Sequence, residues 1–200
     1  LFIKKIIHFL LAVLAYWWYG RPAKKLIVIG VTGTKGKSTT CRVNASVLEA
    51  GGNKVGMLTT VEFQIGEKRW LNDKKMTMLG RGQIQQMLKQ MVKAGCKYAV
   101  VETSSEGILQ YRHVGLNYNT AVFTNLGTEH SERHGGFENL KRDKAKIFAN
   151  AKIIVANTDD ENANYYLNFP AKEKWGFSKN EVRMMNDEVR ILTATNITSD

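Results

Sequence analysis

A stretch near the start of the chain has the residue types and the order of a nucleotide-phosphate site. It runs from Val28 to Thr40 and reads VIGVTGTKGKSTT: a β-branched run, a glycine-bearing turn and a helix start at Gly-Lys-Ser. Glycines allow backbone N–H groups to face phosphates, and a helix N-terminus adds the positive end of its dipole. We therefore expect Lys37 to reach the β- and γ-phosphates and the Ser38 hydroxyl to bind Mg²⁺. The strict motif requires glycine where the chain has Val31, and the alternative is a glycine-rich surface turn.

Other polar residues come directly after short apolar runs, as they do where parallel strands end. The runs are Tyr98–Val101, Thr120–Thr124 and Ile153–Ala156. Open parallel sheets bind ligands at the carboxyl ends of their strands. Glu102 follows the first run and is predicted to be the second protein ligand of the nucleotide's Mg²⁺, the alternative being a solvated loop acid. His130, in the loop after the second run, is either a ligand of a second metal ion or an ordinary surface histidine.

Lys144 stands where a helix should be buried. A helix predicted from about Phe137 buries Leu140 and Ile147, and Lys144 lies four residues after the first and three before the second, on the same face. An inward lysine is either a snorkelling stem or a functional group with a lowered pKa. A neutral amine reacts with CO₂ to give a carbamate, which resembles a carboxylate as a metal ligand. Spacing alone leaves both readings open.

The elements that position these residues alternate between strands and helices. The pattern predicts an α/β fold of the three-layer P-loop type, with a mostly parallel sheet, helices on both faces and an apolar helix in front. The further predicted elements are a helix from Lys37 to the Gly51-Gly52 pair, a strand at 54–60, a hairpin at 62–71, a loop at 72–80 and a Met-rich helix ending at Gly95.

The net charge is +11, and the start of the chain is strongly basic. Lys4, Lys5, Arg21, Lys24 and Lys25 all precede the first acid, Glu49. Such a start favours phosphate-rich partners, either nucleic acid or an anionic membrane face, and we expect no nucleic acid. Cys41 and Cys96 have neither a CxxC spacing nor a nearby histidine, so we expect reduced core thiols in a cytoplasmic protein, without a metal site.

An apolar run, Ile6–Tyr19, lies between these basic residues. It is shorter than the about 20 residues that cross a bilayer. Trp17 and Trp18 beside Arg21 are typical of a membrane interface. The alternatives are an interfacial anchor formed by residues 1–22, at the inner face of the membrane, a helix that packs on the domain or on a missing partner domain, and a true span.

Together and in order, these motifs resemble the central domain of the Mur ligases. The matching segments are Gly33–Thr39, Glu102–Ser105, Val122–Leu126, Glu129–His130, Lys144–Phe148 and Asn157–Asp160. The resemblance covers about Leu26–Ser178. It implies an apolar basic-flanked helix at 1–25, a central ATP-binding domain at 26–178, and a linker or the start of a missing C-terminal domain at 179–200.

The resemblance also implies an activity and the residues that carry it. The activity is ATP-dependent amide ligation through an acyl phosphate, joining an amino acid to a UDP-MurNAc-peptide-like substrate, with ATP and Mg²⁺. The implied ATP-binding residues are Gly33, Thr34, Lys35, Gly36, Lys37, Ser38, Thr39, Asn157 and Asp159. The implied catalytic residues are Lys37, His130 and Lys144, the metal ligands are Ser38, Glu102 and His130, and the substrate residues are Thr59, Thr60 and Thr77. The alternative function is a nucleotide-binding module, membrane-tethered or not, without ligase activity of its own.

Five positions depart from the family pattern. The family usually has Asn at Lys35, Asp at Glu129, His at Glu106, and Thr-Pro at Met78-Leu79. These departures concern the detail of metal coordination and the identity of the substrate, and not ATP binding.

Overall fold

The computed structural model describes residues 2–74, 76–129, 131–179 and 189–193. The helices are α1 (Phe2–Trp18), α2 (Lys37–Ala50), α3 (Arg81–Lys93), α4 (Ser105–Leu109), α5 (Phe137–Ala145) and α6 (Ala163–Leu167). The strands are β1 (Ile27–Thr32), β2 (Val55–Leu58), β3 (Glu62–Ile65), β4 (Lys68–Leu71), β5 (Tyr98–Glu102), β6 (Thr120–Phe123), β7 (Ile153–Asn157), β8 (Glu173–Ser178) and β9 (Val189–Thr193). Two 3₁₀ turns lie at Pro22–Lys25 and Ser131–His134.

Within the described residues, nine strands form one sheet in the order β4-β3-β2-β5-β1-β6-β7-β8-β9. All neighbours from β2 to β9 are parallel, whereas β3 pairs antiparallel with both β2 and β4. The hairpin turn at Gly66 and Glu67 lies where the alternating pattern predicted it. The predicted α/β class with a mostly parallel sheet is confirmed.

Each face of the sheet has its own apolar core, because strand side chains alternate between the two sides. Ile29 and Val31 of β1 pack in one core with Cys41 and Ala45 of α2. Val28 packs in the other core, which α3, α5 and α6 cover. Strands buried on both faces read as continuous apolar runs, which is why these segments lack polar alternation. The Met-rich stripe of α3 is core, as expected, and its Leu88 and Met91 are fully buried.

The central position of β1 brings the predicted site residues to one edge. β1 pairs with β5 on one side and with β6 on the other, and Val31 lies beside Glu102 in the register. The phosphate loop therefore leaves the sheet next to the carboxylate at the end of β5. The order of parallel neighbours, rather than closeness in sequence, places these groups together.

The N-terminal run forms α1, which packs on the domain by one face. Ala12 is buried, the Phe9 and Tyr111 rings meet edge to face at 5.7 Å, and Asn117 Nδ2 donates to Tyr16 Oη at 3.2 Å. α1 also contacts α3, where His8 meets Arg81. Among the described helices, none has the length and apolarity needed to cross a bilayer.

The end of the chain contributes one more strand. β9 lies in the segment predicted as a linker or the start of another domain, and it pairs parallel with β8 in the same sheet. Residues 180–188 and 194–200, which the same prediction covers, lie outside the described residues.

Candidate functional site

The loop between β1 and α2 is held in place by the segment that follows β6. A Cβ atom on Gly33 would lie 1.9 Å from Thr124 Oγ1, so this position has room only for glycine. Thr34 N donates to the Asn125 carbonyl at 2.9 Å, and Lys35 N donates to Asn125 Oδ1 at 2.8 Å. The loop is therefore fixed by its neighbour before any ligand binds.

The N-terminus of α2 is open toward this loop. Gly36 occupies the N-cap position with φ 78°, and no side chain caps the helix. The first turn of an α-helix leaves backbone N–H groups without intrahelical partners, and these attract anions. Lys37 Nζ lies against the same loop and donates to the Thr34 carbonyl at 2.9 Å. An uncapped helix start and an ammonium group thus face one point.

Glu102 is a buried carboxylate at the end of β5, with 2% of its surface exposed. Ser38 Oγ donates to its Oε2 at 2.6 Å. Thr60 donates twice, from its backbone N to Oε2 at 2.8 Å and from Oγ1 to Oε1 at 2.9 Å. Thr60 Oγ1 also lies 3.0 Å from Thr77 Oγ1. These contacts join the phosphate loop, the end of β2 and the loop before α3.

The oxygen atoms of Glu102 and Ser38 are suitable ligands for Mg²⁺. Among the ion pairs of the described residues, Glu102 has no cationic partner, so hydroxyl and amide groups alone meet its charge. Buried charges are usually paired or bound to metals. Within the described part of the chain, His, Cys, Asp and Glu form no cluster of three or more that could hold a metal ion. The Ser38 hydroxyl and Glu102 carboxylate suit an ion that takes its other ligands from phosphates and water.

Lys144 faces inward, as its helical spacing predicted, and is 4% exposed. Its Nζ donates to the Gly33 carbonyl at 2.9 Å. Burial, and secondarily the positive charge of Lys37, lower the pKa of Lys144 to about 7. Near neutral pH a large share of this amine is therefore uncharged and nucleophilic.

A cavity of about 260 Å³ opens beside the phosphate loop and Lys144, and Ser38 and Glu102 are not among its lining residues. Its lining residues are Gly33, Thr34, Lys37, Thr77, Ser104, Ser105, Glu106, Glu129, Arg133 and Lys144. Thr59 does not reach it. The Thr59 side chain accepts from the Glu62 backbone N at 3.0 Å and donates to the Glu62 carbonyl at 2.8 Å, and the residue is 1% exposed. Its hydroxyl is committed to the turn between β2 and β3.

Asn157 and Asp159 lie in a neighbouring cavity of about 380 Å³. Asn157 Nδ2 donates to the Thr124 carbonyl at 2.9 Å, which connects this cavity to the strand that supports the phosphate loop. Asp159 accepts from Ser178 Oγ and, at 3.0 Å, from Lys179 N, and these bonds lower the pKa of its carboxyl. Five of the predicted ATP-binding residues therefore line these two cavities, Gly33, Thr34 and Lys37 the first and Asn157 and Asp159 the second. The other four, Lys35, Gly36, Ser38 and Thr39, line neither cavity.

Two surface ion pairs flank the lysine-lined cavity. Lys35 Nζ lies 3.1 Å from Glu129 Oε1, and both residues are departures from the family pattern. Arg133 pairs with Glu106, a third departure. No sequence pattern singled out Arg133, because it follows no strand and occupies no helical stripe. His130, predicted as a metal ligand and catalytic residue, lies outside the described residues.

Comparison with known families identifies one match over most of the chain. The family described as Mur ligase middle domain matches residues 31–199. The chain is 38% identical over 172 residues to UDP-N-acetylmuramyl-tripeptide synthetase of Roseiflexus sp. (strain RS-1), covering 78% of this chain and 34% of that protein. It is 35% identical over 172 residues to UDP-N-acetylmuramoyl-L-alanyl-D-glutamate–2,6-diaminopimelate ligase of Geobacillus thermodenitrificans (strain NG80-2), covering 80% and 34%. The chain spans about a third of the length of these relatives.

Solved structures agree in fold. A structure of UDP-N-acetylmuramoyl-L-alanyl-D-glutamate–2,6-diaminopimelate ligase matches with a TM-score of 0.68 and 30% identity, covering 78% of this chain and 32% of that one. The MurF ligase of Thermotoga maritima in complex with ADP matches with a TM-score of 0.62 and 22% identity, covering 86% and 36%. At that lower identity the likeness concerns the fold alone.

Proposed function

Because the chain belongs to the Mur ligase family, we propose that it forms the ATP-binding part of an ATP-dependent acid–amino-acid ligase of peptidoglycan precursor synthesis. One observation carries the proposal: the uncapped start of α2, Lys37 and the buried Lys144 all face one cavity. The relatives named for this reaction, and the ADP bound to a protein of the same fold, support it. The residue roles below are part of the proposal.

In this reaction ATP phosphorylates a substrate carboxylate, and an amine then attacks the acyl phosphate and releases phosphate. The work of the protein is mainly positioning and charge neutralisation. The backbone N–H groups at the start of α2, from Gly36 to Thr39, and the Lys37 ammonium hold the phosphates. Those of Thr34 and Lys35 bond to Asn125 and shape the loop instead. Ser38 and Glu102 would hold Mg²⁺, which neutralises phosphate charge when bound. Glu102 is pre-aligned for this, because Thr60 bonds to both of its oxygens.

Lys144 contributes as a carbamate. Its neutral amine attacks the carbon of CO₂, an N–C bond forms, and the amine proton leaves to water. The product replaces a partly positive group by a negative one beside Lys37, so the repulsion that lowers the pKa of Lys144 becomes an attraction. The carbamate would offer oxygens toward the cavity, where it would help to hold Mg²⁺ and orient the phosphoryl group.

The remaining residues divide between the two ends of ATP and the acyl substrate. Asn157 and Asp159 are assigned to the nucleoside, because they line a cavity of their own and Asn157 bonds to Thr124 beside the phosphate loop. Thr77, which lines the cavity with Lys37 and contacts Thr60, is assigned to a UDP-MurNAc-peptide-like substrate. Thr59 supports that side through its turn. His130 is proposed as the ligand of a second Mg²⁺. The buried thiols Cys41 and Cys96 are those of a reducing compartment, so we place the reaction in the cytoplasm.

The test is release of phosphate from ATP with and without the acyl substrate UDP-MurNAc-dipeptide and a set of amino acids. A ligase releases phosphate only when both are present and forms an amide in equal amount. The alternative, a nucleotide-binding module without ligation, binds ATP but yields no amide under any of these conditions. A chain that binds no ATP contradicts both functions.

A further inference from the structure

The outer face of α1 is apolar where a surface helix is normally polar. Of the α1 side chains that the structure describes, eight large apolar ones are exposed: Ile6, Ile7, Phe9, Leu10, Leu11, Leu14, Trp17 and Trp18. Among them, Ile7, Leu10, Leu14 and Trp17 recur every three or four residues and so share one face. Leu14 is 64% exposed and Trp18 is 85% exposed, so most of each side chain has no contact with the described part of the domain. A surface helix with apolar residues all round is one that something else covers.

The opposite face of α1 already has its partner. Ala12 is buried, and Tyr16 packs so closely that a Cβ on Gly115 would lie 2.5 Å from its ring. Helix α1 is therefore fixed on the domain by its inner side. The C-terminal half of α1, from Leu11 to Trp18, forms with Tyr19 and with Arg81 and Gly82 of α3 an open apolar groove of about 670 Å³.

The surface around this groove is uniformly basic. Neither α1, nor the turn at Pro22–Lys25, nor α3 contains an Asp or a Glu. The exposed cations on these elements are Lys5, Lys24, Lys25, Lys89 and Lys93. Arg21 lies over the Trp17 ring at 4.5 Å, and Lys89 lies 5.8 Å from the Tyr19 ring. Aromatic rings beside cations, on an apolar face bordered by lysines, match the chemistry of an anionic lipid headgroup layer.

We propose that the outer face of α1 lies in the headgroup region of an anionic membrane and tethers the domain there without crossing the bilayer. The charge around the groove favours a lipid surface over a second copy of this chain. A second copy of this chain would bring the same basic border against its own, whereas lipid phosphates neutralise it. The groove and the lysine-lined cavity share no lining residue, so the tethered domain keeps that cavity open. The inference does not depend on the ligase proposal.

The experiment measures binding of the full 200-residue chain to sedimented vesicles of phosphatidylcholine, with and without phosphatidylglycerol. We expect binding to the anionic vesicles to be at least about tenfold stronger and to weaken as salt rises. The double variant Leu14→Ser/Trp18→Ser should lose at least about tenfold of the partition coefficient. Lys24→Glu/Lys25→Glu should weaken binding to the anionic vesicles alone.

The matched control is Val43→Ser/Val47→Ser, which removes two valines that are 55% and 66% exposed on α2. It should bind lipid as the wild type does. Thermal unfolding of every variant shows whether it is folded.

Three outcomes would overturn the proposal. The first is a wild-type chain that stays in the supernatant with both kinds of vesicle. The second is equal loss of binding in the α2 control. The third is a wild-type chain that binds no lipid but forms a dimer in light scattering, with the α1 double variant monomeric. The outer face of α1 would then contact a second copy of the chain.

Discussion

In most proteins charged side chains are exposed and large apolar ones are buried. The site edge of the sheet, where β1 and β5 end, and the outer face of α1 depart from this pattern in opposite ways. At the edge, Glu102 and Lys144 are charged residue types with 2% and 4% of their surface exposed. On α1, Trp18 and Leu14 are among the most exposed large apolar side chains. Buried polar groups and exposed apolar patches are informative because folding alone selects against both.

The two exceptions differ in what compensates them. Glu102 is met by three hydrogen bonds within the protein, and Lys144 by one bond and a lowered pKa. Among the residues that the structure describes, nothing compensates the α1 face in this way. The comparison indicates that the edge is a preformed site for a small ligand, whereas the outer face of α1 is a surface for contact with another molecule.

The largest expected effect concerns Lys144. In a ligase that contains this segment, Lys144→Ala should lower turnover at least about 10²-fold, because it removes a charge fixed at the reacting phosphoryl group. ATP affinity should change far less. Lys144→Glu should recover part of the turnover, since it returns a carboxylate near the same place. Lys141→Ala, on the same helix but outside the cavity, is the control, and an equal loss there would reject the assignment.

The pH dependence of stability tests the buried amine itself. The pKa of Lys144 is about 7 in the fold and 10.5 in a free side chain, so between these values the unfolded chain binds a proton that the folded chain does not. Stability relative to Lys144→Met should therefore rise with pH, by about 2 kcal/mol from pH 7 to pH 9. Urea unfolding in CO₂-free buffer measures it. A difference that stays flat with pH would mean that the amine is solvated.

Glu102→Gln tests whether Glu102 binds the Mg²⁺ that accompanies ATP. The amide keeps the size of the side chain but loses the charge that Mg²⁺ requires, so ATP affinity with Mg²⁺ should fall about tenfold, or about 1.4 kcal/mol. With EDTA the two proteins should bind ATP alike. Glu67→Gln, in the exposed hairpin turn, should bind as the wild type does under both conditions. Equal affinities of Glu102→Gln and wild type in Mg²⁺ would remove Glu102 from the site.

The smallest effect is expected on the outer face of α1. Trp18→Ser should change the free energy of unfolding by less than about 0.5 kcal/mol, because the described residues leave Trp18 85% exposed. Ala12→Leu, on the buried face, should cost about 1–3 kcal/mol through overpacking. Urea titrations of both variants measure the contrast. If Trp18→Ser were the more destabilising, the face would be covered within the chain, and the two exceptions would not differ.

Much of the edge follows from sequence because its signals are local. A strand, a glycine turn and Gly-Lys-Ser predicted the phosphate loop, and helical spacing predicted that Lys144 faces inward. The departure at Val31 has a physical reason: the residue is buried in β1, and the close approach falls two residues later, at Gly33. Glycine is needed at the position where the backbone is crowded, which here is Gly33 and not the motif position, Val31.

The parts that sequence did not predict depend on distant contacts. Helix α4 has only five residues, too few to show a helical period, and its polar start reads as loop. That Thr59 turns inward while Thr60 bonds to Glu102 depends on the geometry of the β2–β3 turn. For α1, the apolar run left packing and a membrane interface as alternatives, and the structure shows one face packed and the other open. The pairing of Lys35 with Glu129 joins residues from two strand ends that no local pattern connects.

We propose above all that the loop at the start of α2 binds the phosphates of ATP, and calorimetry of Lys37→Ala is the decisive experiment. Lys37 donates only to a loop carbonyl within the described structure, so its removal should leave the fold intact while ATP affinity falls at least about tenfold. Lys172→Ala, an exposed lysine before β8, should bind ATP as the wild type does. Wild-type affinity in a folded Lys37→Ala would contradict the claim.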